Sequence, residues 1–419
     1  MRSRVLRRRA ATAFGIYGAA LAGFLATVVA ARELSVSDFA RFAVVFGTTS
    51  LLQLFVDLTI DEVVVKYGNR YAAREDWGRF RRLFEVGLAV KMAGGAAGSV
   101  AVVGAAFLAP HLWSIHGLRD AMLIAALIPL IQQPEGMAGA LLLVRNRYDL
   151  RGVLLFWSML LRLVAIAIGA RHGLLWLFTA IVVAQVVSSI TVCAVAYAGY
   201  RRYPRAERRP LGDDAPEIRR FAIQSTIASG LTSLRTSLPT LLIPFVSSGR
   251  QVSYFRVAQA PSTAFASLSA PARLVLLAEQ TRDVEHGRTD RAYALLRRYI
   301  VGTALLGLVI TPVLWFVMPT LVRWIYEAKY VPAVNAFRVM LLAAVVQLVF
   351  AWTKSFPVSI GRAGLRTLGQ VCEIAVLVPA VLLLADLYGA TGAAAGVLAG
   401  AVALAAFWSV ALLRMRSPR

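Results

Sequence analysis

Apolar positions along this chain neither alternate nor recur on a single helical face. They run on, in about twelve stretches each near the ~20 residues that carry a helix across a bilayer, separated by polar connectors. The stretches lie at roughly 11–31, 39–60, 83–109, 121–143, 152–170, 174–199, 221–245, 252–276, 299–318, 333–354, 367–386 and 391–413. Runs of this length predict helices that are apolar all round, with lipid as their solvent. The connectors alternate in charge. With the amino terminus taken as cytoplasmic, connectors on that side hold 31 of the 45 Lys and Arg residues, the opposite side holds 6, and 8 lie within the spans. The positive-inside rule therefore orients the chain with both termini in the cytoplasm.

The longest inward connector, Tyr200–Arg220, carries Pro204, Pro210 and Pro216 together with seven arginines. It reads as a linker over 201–220 between an amino-terminal six-helix lobe, 1–200, and a carboxy-terminal one, 221–419. Two charged, partly amphipathic stretches, Arg70–Phe84 and Arg282–Tyr299, follow the second and eighth spans. Both are expected to form short cytosolic helices along the interface. Their matching positions suggest an internal repeat, and an even number of spans per half makes the repeats parallel. The fold expected is an all-α membrane protein of about twelve transmembrane helices in two lobes, with the binding site between them.

Composition agrees. A chain of 419 residues that is 58% hydrophobic with mean hydropathy +0.67 does not suit a globular domain in water. A net charge of +23 would suit nucleic acid, but the cations are spread over membrane-proximal connectors and do not line one face, so no nucleic-acid partner is expected. Arginine greatly outnumbers lysine and Ala and Gly abound, which points to a GC-rich bacterial genome and hence a cytoplasmic (inner) membrane. The apolar run Ala10–Ala31 behind the basic start Arg2–Arg9 exceeds the ~7–15 residues of a signal core and is expected to be the first span. Cys193 and Cys372 fall inside spans, and the histidines His111, His116, His172 and His286 have no carboxylate at ligand spacing, so neither disulfide, metal nor other cofactor is expected. No catalytic constellation and no phosphate loop ending in Lys-Ser/Thr occurs.

Several stretches resemble one family. Ala31-Arg-Glu-Leu-Ser-Val-Ser-Asp-Phe39 precedes the second span, and Val56-Asp-Leu58 with Val65-Lys-Tyr67 ends it; Glu217-Ile-Arg-Arg-Phe221 opens the seventh and Phe255-Arg-Val-Ala258 the eighth. Leu321-Val-Arg-Trp-Ile-Tyr-Glu-Ala-Lys-Tyr-Val-Pro-Ala333 and Tyr388-Gly-Ala-Thr-Gly-Ala-Ala-Ala395 look like the loops before the tenth and twelfth. In order and spacing the chain resembles the polysaccharide-biosynthesis or oligosaccharide flippases of the multidrug/oligosaccharidyl-lipid/polysaccharide (MOP) exporter superfamily. Three positions depart from the family's usual residue: Thr59 and Glu327, where glycine is common, and Pro239, where an aspartate is common. The resemblance implies translocation of a polyprenyl-diphosphate-linked oligosaccharide, an O-antigen, capsule or exopolysaccharide unit, from the inner to the outer leaflet by alternating access. Membrane lipids, and the polymerase and glycosyltransferases of the same route, are the partners it implies.

Ionisable groups at membrane depth cost roughly 2.5–3.5 kcal/mol each at a helix centre, so each needs a reason. Lys91, Arg162 and Arg235 fall deep in their spans, whereas Arg41, Arg256, Arg273, Arg338 and Lys354 lie nearer the ends, where long side chains snorkel. In the seventh span Ser225, Ser229, Thr232 and Thr236 share one face, with Arg235 on its flank. Arg256, Gln259, Thr263 and Ser267 share a face of the eighth, and Thr49, Gln53 and Asp57 a face of the second. These stripes are expected either to line a cavity or to bond neighbouring helices. A cavity rimmed by Arg235, Arg162, Lys91, Arg256 and Arg41 would suit a diphosphate, because guanidinium forks match phosphate oxygens. The other use of the cations is pairing with Asp57, Glu85, Glu135 or Glu373, and Glu85 with Lys91 is a candidate pair. Prolines 129 and 134, 239 and 244, and 261 and 271 are expected to interrupt the fourth, seventh and eighth spans.

Three other functions compete. A cation-coupled drug antiporter of the same superfamily would need an acid buried in the first lobe, and the first span has none. A polyprenyl-dependent glycosyltransferase, polymerase or ligase would need a sizeable outward loop with paired acids. A scaffold for biosynthetic enzymes would need no polar interior.

Overall fold

The structure, a computed structural model, describes residues 2–416 apart from 57–58, 114, 202, 205, 287, 355 and 357–363. Every regular element among the described residues is helical. Eight helices among them are long and apolar enough to cross a membrane. One of these runs 51 residues, Gly364–Arg414. At 1.5 Å per residue it is over twice the ~30 Å of a bilayer core, so it must double back, and it does so at Gly389. The helix carrying the seventh predicted span, Asp214–Val246, has the length, 33 residues, but its serines, threonines and Arg235 leave it too polar for that group.

By its contacts the chain forms two units, Met1–Ser233 and Leu234–Arg419. In the first, α1 (Arg2–Glu33) packs along α7 (Tyr148–Gly169). Lipid offers no hydrophobic drive for this, so the contact depends on close backbone approach. Gly15 and Gly152 provide it: a Cβ on Gly15 would overlap the Gly152 backbone. The helices α4 (Trp77–Leu112), α6 (Leu127–Val144) and α8 (Leu174–Tyr200) pack in sequence around a core that includes Tyr67, Tyr71, Phe80 and Met137. The fourth predicted span is broken at Ala126 into α5 (Arg119–Ala125) and α6. Pro129 is the cause, because its ring lacks the N–H and clashes with the carbonyl four residues back, at Ala125.

In the second unit α10 (Gly249–Ala258) and α11 (Ala260–Glu285) divide the eighth span at Gln259, ahead of Pro261 in the first turn of α11. The helix α12 (Thr289–Tyr326) leads through a 3-10 turn to α13 (Val334–Val349). The last element, α14 (Gly364–Arg416), is folded over at Gly389, whose φ of 58° and ψ of −132° suit glycine alone. Gln251 accepts a hydrogen bond from the Ala390 N–H at 2.9 Å and closes this turn. Its two arms then pack on Gly392, Gly396 and Gly400, spaced by four, where a Cβ would meet Leu384, Val381 and Leu377.

Four expectations are corrected. The span bearing Pro239 and Pro244 is one continuous helix, α9 (Asp214–Val246). Arg70–Phe84 is not a separate interfacial helix: it holds the end of α3 (Ile60–Ala73), a turn with Glu75 at φ 55°, and the start of α4, where Asp76 accepts from the Arg79 N–H. Arg282–Tyr299 is likewise the junction of α11 and α12. Trp324, Tyr326 and Tyr330 fall in the outward connector Pro319–Pro332, where aromatics are expected to anchor at the interface, but Tyr326 and Tyr330 are buried against Phe337 and Tyr254, while Trp324 is 76% exposed. The helix α12 runs on to Tyr326 and the 3-10 turn Ala328–Ala333 carries Tyr330, so two of the three aromatics turn into the core.

Candidate functional site

Two polar regions lie within the apolar helices, one in each unit. In the first, Lys91 of α4 is buried and its Nζ is 2.6 Å from Asp61 Oδ1 of α3. Gly136 of α6 leaves room for this pair, since a Cβ there would stand 3.0 Å from Asp61 Oδ2 and 3.3 Å from Lys91 Nζ. This corrects the candidate pair of Glu85 with Lys91. Six residues apart on one helix, those two point about 120° apart, and Glu85 instead accepts from Arg81 at 3.0 Å and pairs with Arg208 at 2.8 Å.

Beside it runs a relay. Arg162 of α7 donates to Gln185 Oε1 at 3.2 Å, and Gln185 Nε2 donates to Glu135 Oε2 at 2.7 Å. Ser188 and Ser189 donate to the same carboxylate. Gln53 joins the parts: with Lys91, Asp61 and Glu135 it lines a cavity of about 220 Å³, and with Arg162, Thr49 and Gln132 a second of about 340 Å³. Lys91, Arg162 and Gln53 are thus brought together, and Asp57 lies outside the described residues. Arg41 is not part of this group. It lies twelve residues, about 18 Å of helix, from Gln53 and pairs with Asp38 at 2.9 Å.

In the second unit Arg235 of α9 pairs with Glu373 of α14 at 3.3 Å, and both side chains are buried, 14% and 1% exposed. Arg273 of α11 is within electrostatic reach of Arg235 and Arg366. Arg273 therefore links two other guanidinium groups, of which Arg235 is the one paired with a carboxylate among the described residues. The Nε atoms of all three arginines and Oε2 of Glu373 are buried without a hydrogen-bond partner. An unsatisfied buried polar atom costs about 1–3 kcal/mol, more when charged. Arg256 is separate, donating to Gln259 at 2.8 Å, and Thr263 donates to the Gln259 carbonyl at 3.2 Å.

The polar face of α9 divides. Ser225 donates to Glu62, and Thr226 donates to the carbonyl of Ala222 and receives the Thr59 N–H, all within the first unit. Ser229 and Thr232 are half-buried and Thr236 exposed. Further towards its start, α9 is held to α3 outside the spans. Glu217 accepts from both Arg70 nitrogens and from the Tyr67 hydroxyl, each at 3.1 Å, and Asp214 accepts from Tyr71 at 2.9 Å. The bonds from Arg70 and Tyr67 hold the Glu217 carboxyl below the usual carboxylate range, and burial with Asp214 as neighbour raises the Tyr71 hydroxyl well above its own.

Sequence reasoning placed Asp61 in a connector and passed over Arg366. A signal for Arg366 was present: it precedes Glu373 by seven residues, which puts both on one face of α14.

Residues 5–277 match the family described as polysaccharide biosynthesis protein. The chain belongs to that family. No curated protein matches it. Among solved structures, it is similar to a multidrug-resistance MATE-family transporter of the MOP superfamily in an inward-facing conformation, with TM-score 0.76, 12% identity, and coverage of 95% of this chain and 96% of that one. The lipid II flippase MurJ, in an inward closed conformation, gives TM-score 0.70 at 12% identity, covering 96% of this chain and 87% of MurJ. A MOP superfamily transporter from Pyrococcus furiosus gives 0.68 at 13%, covering 98% and 95%. At these identities the likeness is one of fold. This member of the family is a multi-pass helical membrane protein with the fold of the MOP transporters.

Proposed function

We propose that the protein is a flippase of the bacterial cytoplasmic membrane that moves a polyprenyl-diphosphate-linked oligosaccharide from the inner to the outer leaflet. The observation that carries this reading is the excess of cation in the second unit, where Arg273 lies within electrostatic reach of both Arg366 and the Glu373-paired Arg235, and each of the three leaves a buried Nε unsatisfied. A diphosphate has the charge and the acceptor oxygens this group lacks, and guanidinium binds phosphate in paired hydrogen bonds. Membership of the polysaccharide biosynthesis family and a fold shared with MurJ favour a lipid-linked sugar as the bearer of that diphosphate. Arg162, with Gln53 and Thr49, and Arg256, with Gln259 and Thr263, are proposed to contact the sugar, and the prenyl tail stays in lipid. Lys91 and Arg41 already hold an acid each and are given a structural part.

Twelve spans with both ends in the cytoplasm fit this route. For outward transfer of a dianion, an inside-negative potential contributes about 2.3 kcal/mol per charge per 100 mV. The antiporter gains no support from the acids of the first unit, because Asp61 is ion-paired and Glu135 accepts from Gln185 and two serines.

The test is accumulation and sidedness of polyprenyl-diphosphate-linked oligosaccharide in a deletion strain supplied with wild-type, Arg273→Gln or Arg366→Gln protein at matched levels. Inner-leaflet accumulation relieved by wild type alone is the expected result. Lipid-linked sugar that neither accumulates nor changes sidedness on deletion would sink the proposal.

A further inference from the structure

One further cavity of the first unit takes no part in this reading. It measures about 550 Å³, within the range of small-molecule sites, and lies where α4, α6 and α8 meet the chain after Tyr200. One wall is aromatic. Phe84 stacks on Tyr200 at 5.5 Å, and Trp77 and Phe80 each lie 5.1 Å from the Tyr203 ring. Burial pushes the Tyr203 hydroxyl up to about 12, so this wall carries no negative charge at neutral pH. The deep end is apolar, formed by Leu88, Pro134, Met137 and Cys193. Leu88 is seven residues along α4 from Arg81, so the lining passes from charged rim to apolar floor over about 10 Å.

The rim is cationic. Arg81 and Arg201 line it, and Glu85 is the one acid among the lining residues. That carboxylate is shared by Arg81 and Arg208, and the Arg145 guanidinium stands 5.5 Å over the Tyr203 ring. Tyr197 sets the cavity beside an exposed face of α8. Val183, Ile190 and Tyr197 of α8, spaced by seven, are 56%, 64% and 62% exposed and form a lipid-facing stripe, and Tyr197 also lines the cavity.

Arginines at headgroup depth on the side where the positive connectors gather, above an apolar slot beside that stripe, describe the complement of an anionic phospholipid. We infer that this cavity binds one phosphatidylglycerol-type lipid of the inner leaflet. Its phosphate sits at Arg81 and Arg208, and the upper part of an acyl chain lies along Leu88, Met137 and Cys193. Bulk phospholipid is favoured over a lipid-linked intermediate by mass action, because the cavity adjoins the lipid-facing stripe. Glu85 competes with the phosphate for the same guanidinium groups and tunes the affinity.

The experiment is native mass spectrometry of the full-length protein released from nanodiscs containing phosphatidylglycerol, phosphatidylethanolamine or a polyprenyl diphosphate. Near-surface arginines contribute about 1 kcal/mol apiece, so Arg81→Gln with Arg208→Gln is expected to lower phosphatidylglycerol retention roughly thirtyfold and leave phosphatidylethanolamine unchanged. Glu85→Gln is expected to raise phosphatidylglycerol retention, a gain that a misfolded protein could not give. Equal retention of phosphatidylglycerol by wild type and the double variant, equal retention of the two phospholipids, or a loss in Glu85→Gln would overturn the inference. So would a pocket that retains polyprenyl diphosphate in an Arg81- and Arg208-dependent way while phosphatidylglycerol is indifferent to both.

Discussion

The polar interiors of the two units solve the same problem differently. In the first, Lys91 meets Asp61, and Arg162 reaches Glu135 through Gln185, so each buried cation has an acid directly or one residue away. In the second, Arg235 is paired with Glu373 while Arg273 lies within electrostatic reach of Arg235 and Arg366, and the Nε atoms of all three and Oε2 of Glu373 find no partner. Balanced charge in a low-dielectric interior is a means of holding helices together. Unbalanced charge is a cost that only a ligand of the opposite sign offsets. We propose that the difference gives one cluster a structural part and the other a binding part, and this can be tested at each.

The largest effect is expected at the unbalanced cluster. Arg273→Gln and Arg366→Gln break no ion pair among the described residues, so both proteins should accumulate normally while transport falls at least about tenfold, the loss of one charge-assisted bond to phosphate. Flipping assayed in reconstituted vesicles checks this, and normal transport by both variants would remove the binding role. Next comes the balanced cluster. Lys91→Met leaves Asp61 unpaired and should destabilise the first unit, by at most about 3 kcal/mol because Asp61 is a third exposed. Adding Asp61→Asn should recover part of the loss in thermal unfolding. If the double variant unfolds normally yet transports nothing, the pair is functional and the contrast between the units fails.

A smaller change sharpens the reading of the second unit. Glu327 ends α12 at φ 73° and ψ 172°, a region nearly confined to glycine and costing about 1–3 kcal/mol for other residues. Glu327→Gly should therefore raise the melting temperature, with loss of the 3.6 Å pair to Lys329 a minor offset. It gives a firmer background in which the arginine variants can be compared.

The smallest effect is at the solvent-side bonds of α3 with the start of α9. The folded-state pKa of Glu217 is depressed by Arg70 and Tyr67. Its contribution is therefore present above the unfolded value of about 4.3 and is lost as pH falls through the lower folded value. Proteolysis of the linker should rise in that acid window in wild type, and Glu217→Gln should show the faster cleavage already at neutral pH. A wild-type profile that stays flat down to pH 3 would show that these bonds do not hold the linker.

Much of the fold was legible because lipid imposes it. A helix must satisfy its own backbone in hydrocarbon, so long apolar runs fixed the helices, and prolines 129 and 261 marked two breaks within a few residues. The site was only half legible. Lys91, Arg162 and Arg235 stood out as charges in apolar runs, but their partners did not, since Asp61 lies 30 residues from Lys91 and Glu373 lies 138 from Arg235.

What the sequence alone determined is therefore the class of protein, the side on which positive charge gathers, and the deep cations, all of which follow from local composition against a fixed bilayer thickness. Only the tertiary structure decided which cation is neutralised and which is left over. That depends on which helices stand side by side, and pairing at a few ångströms is a property of packing that no single helix encodes.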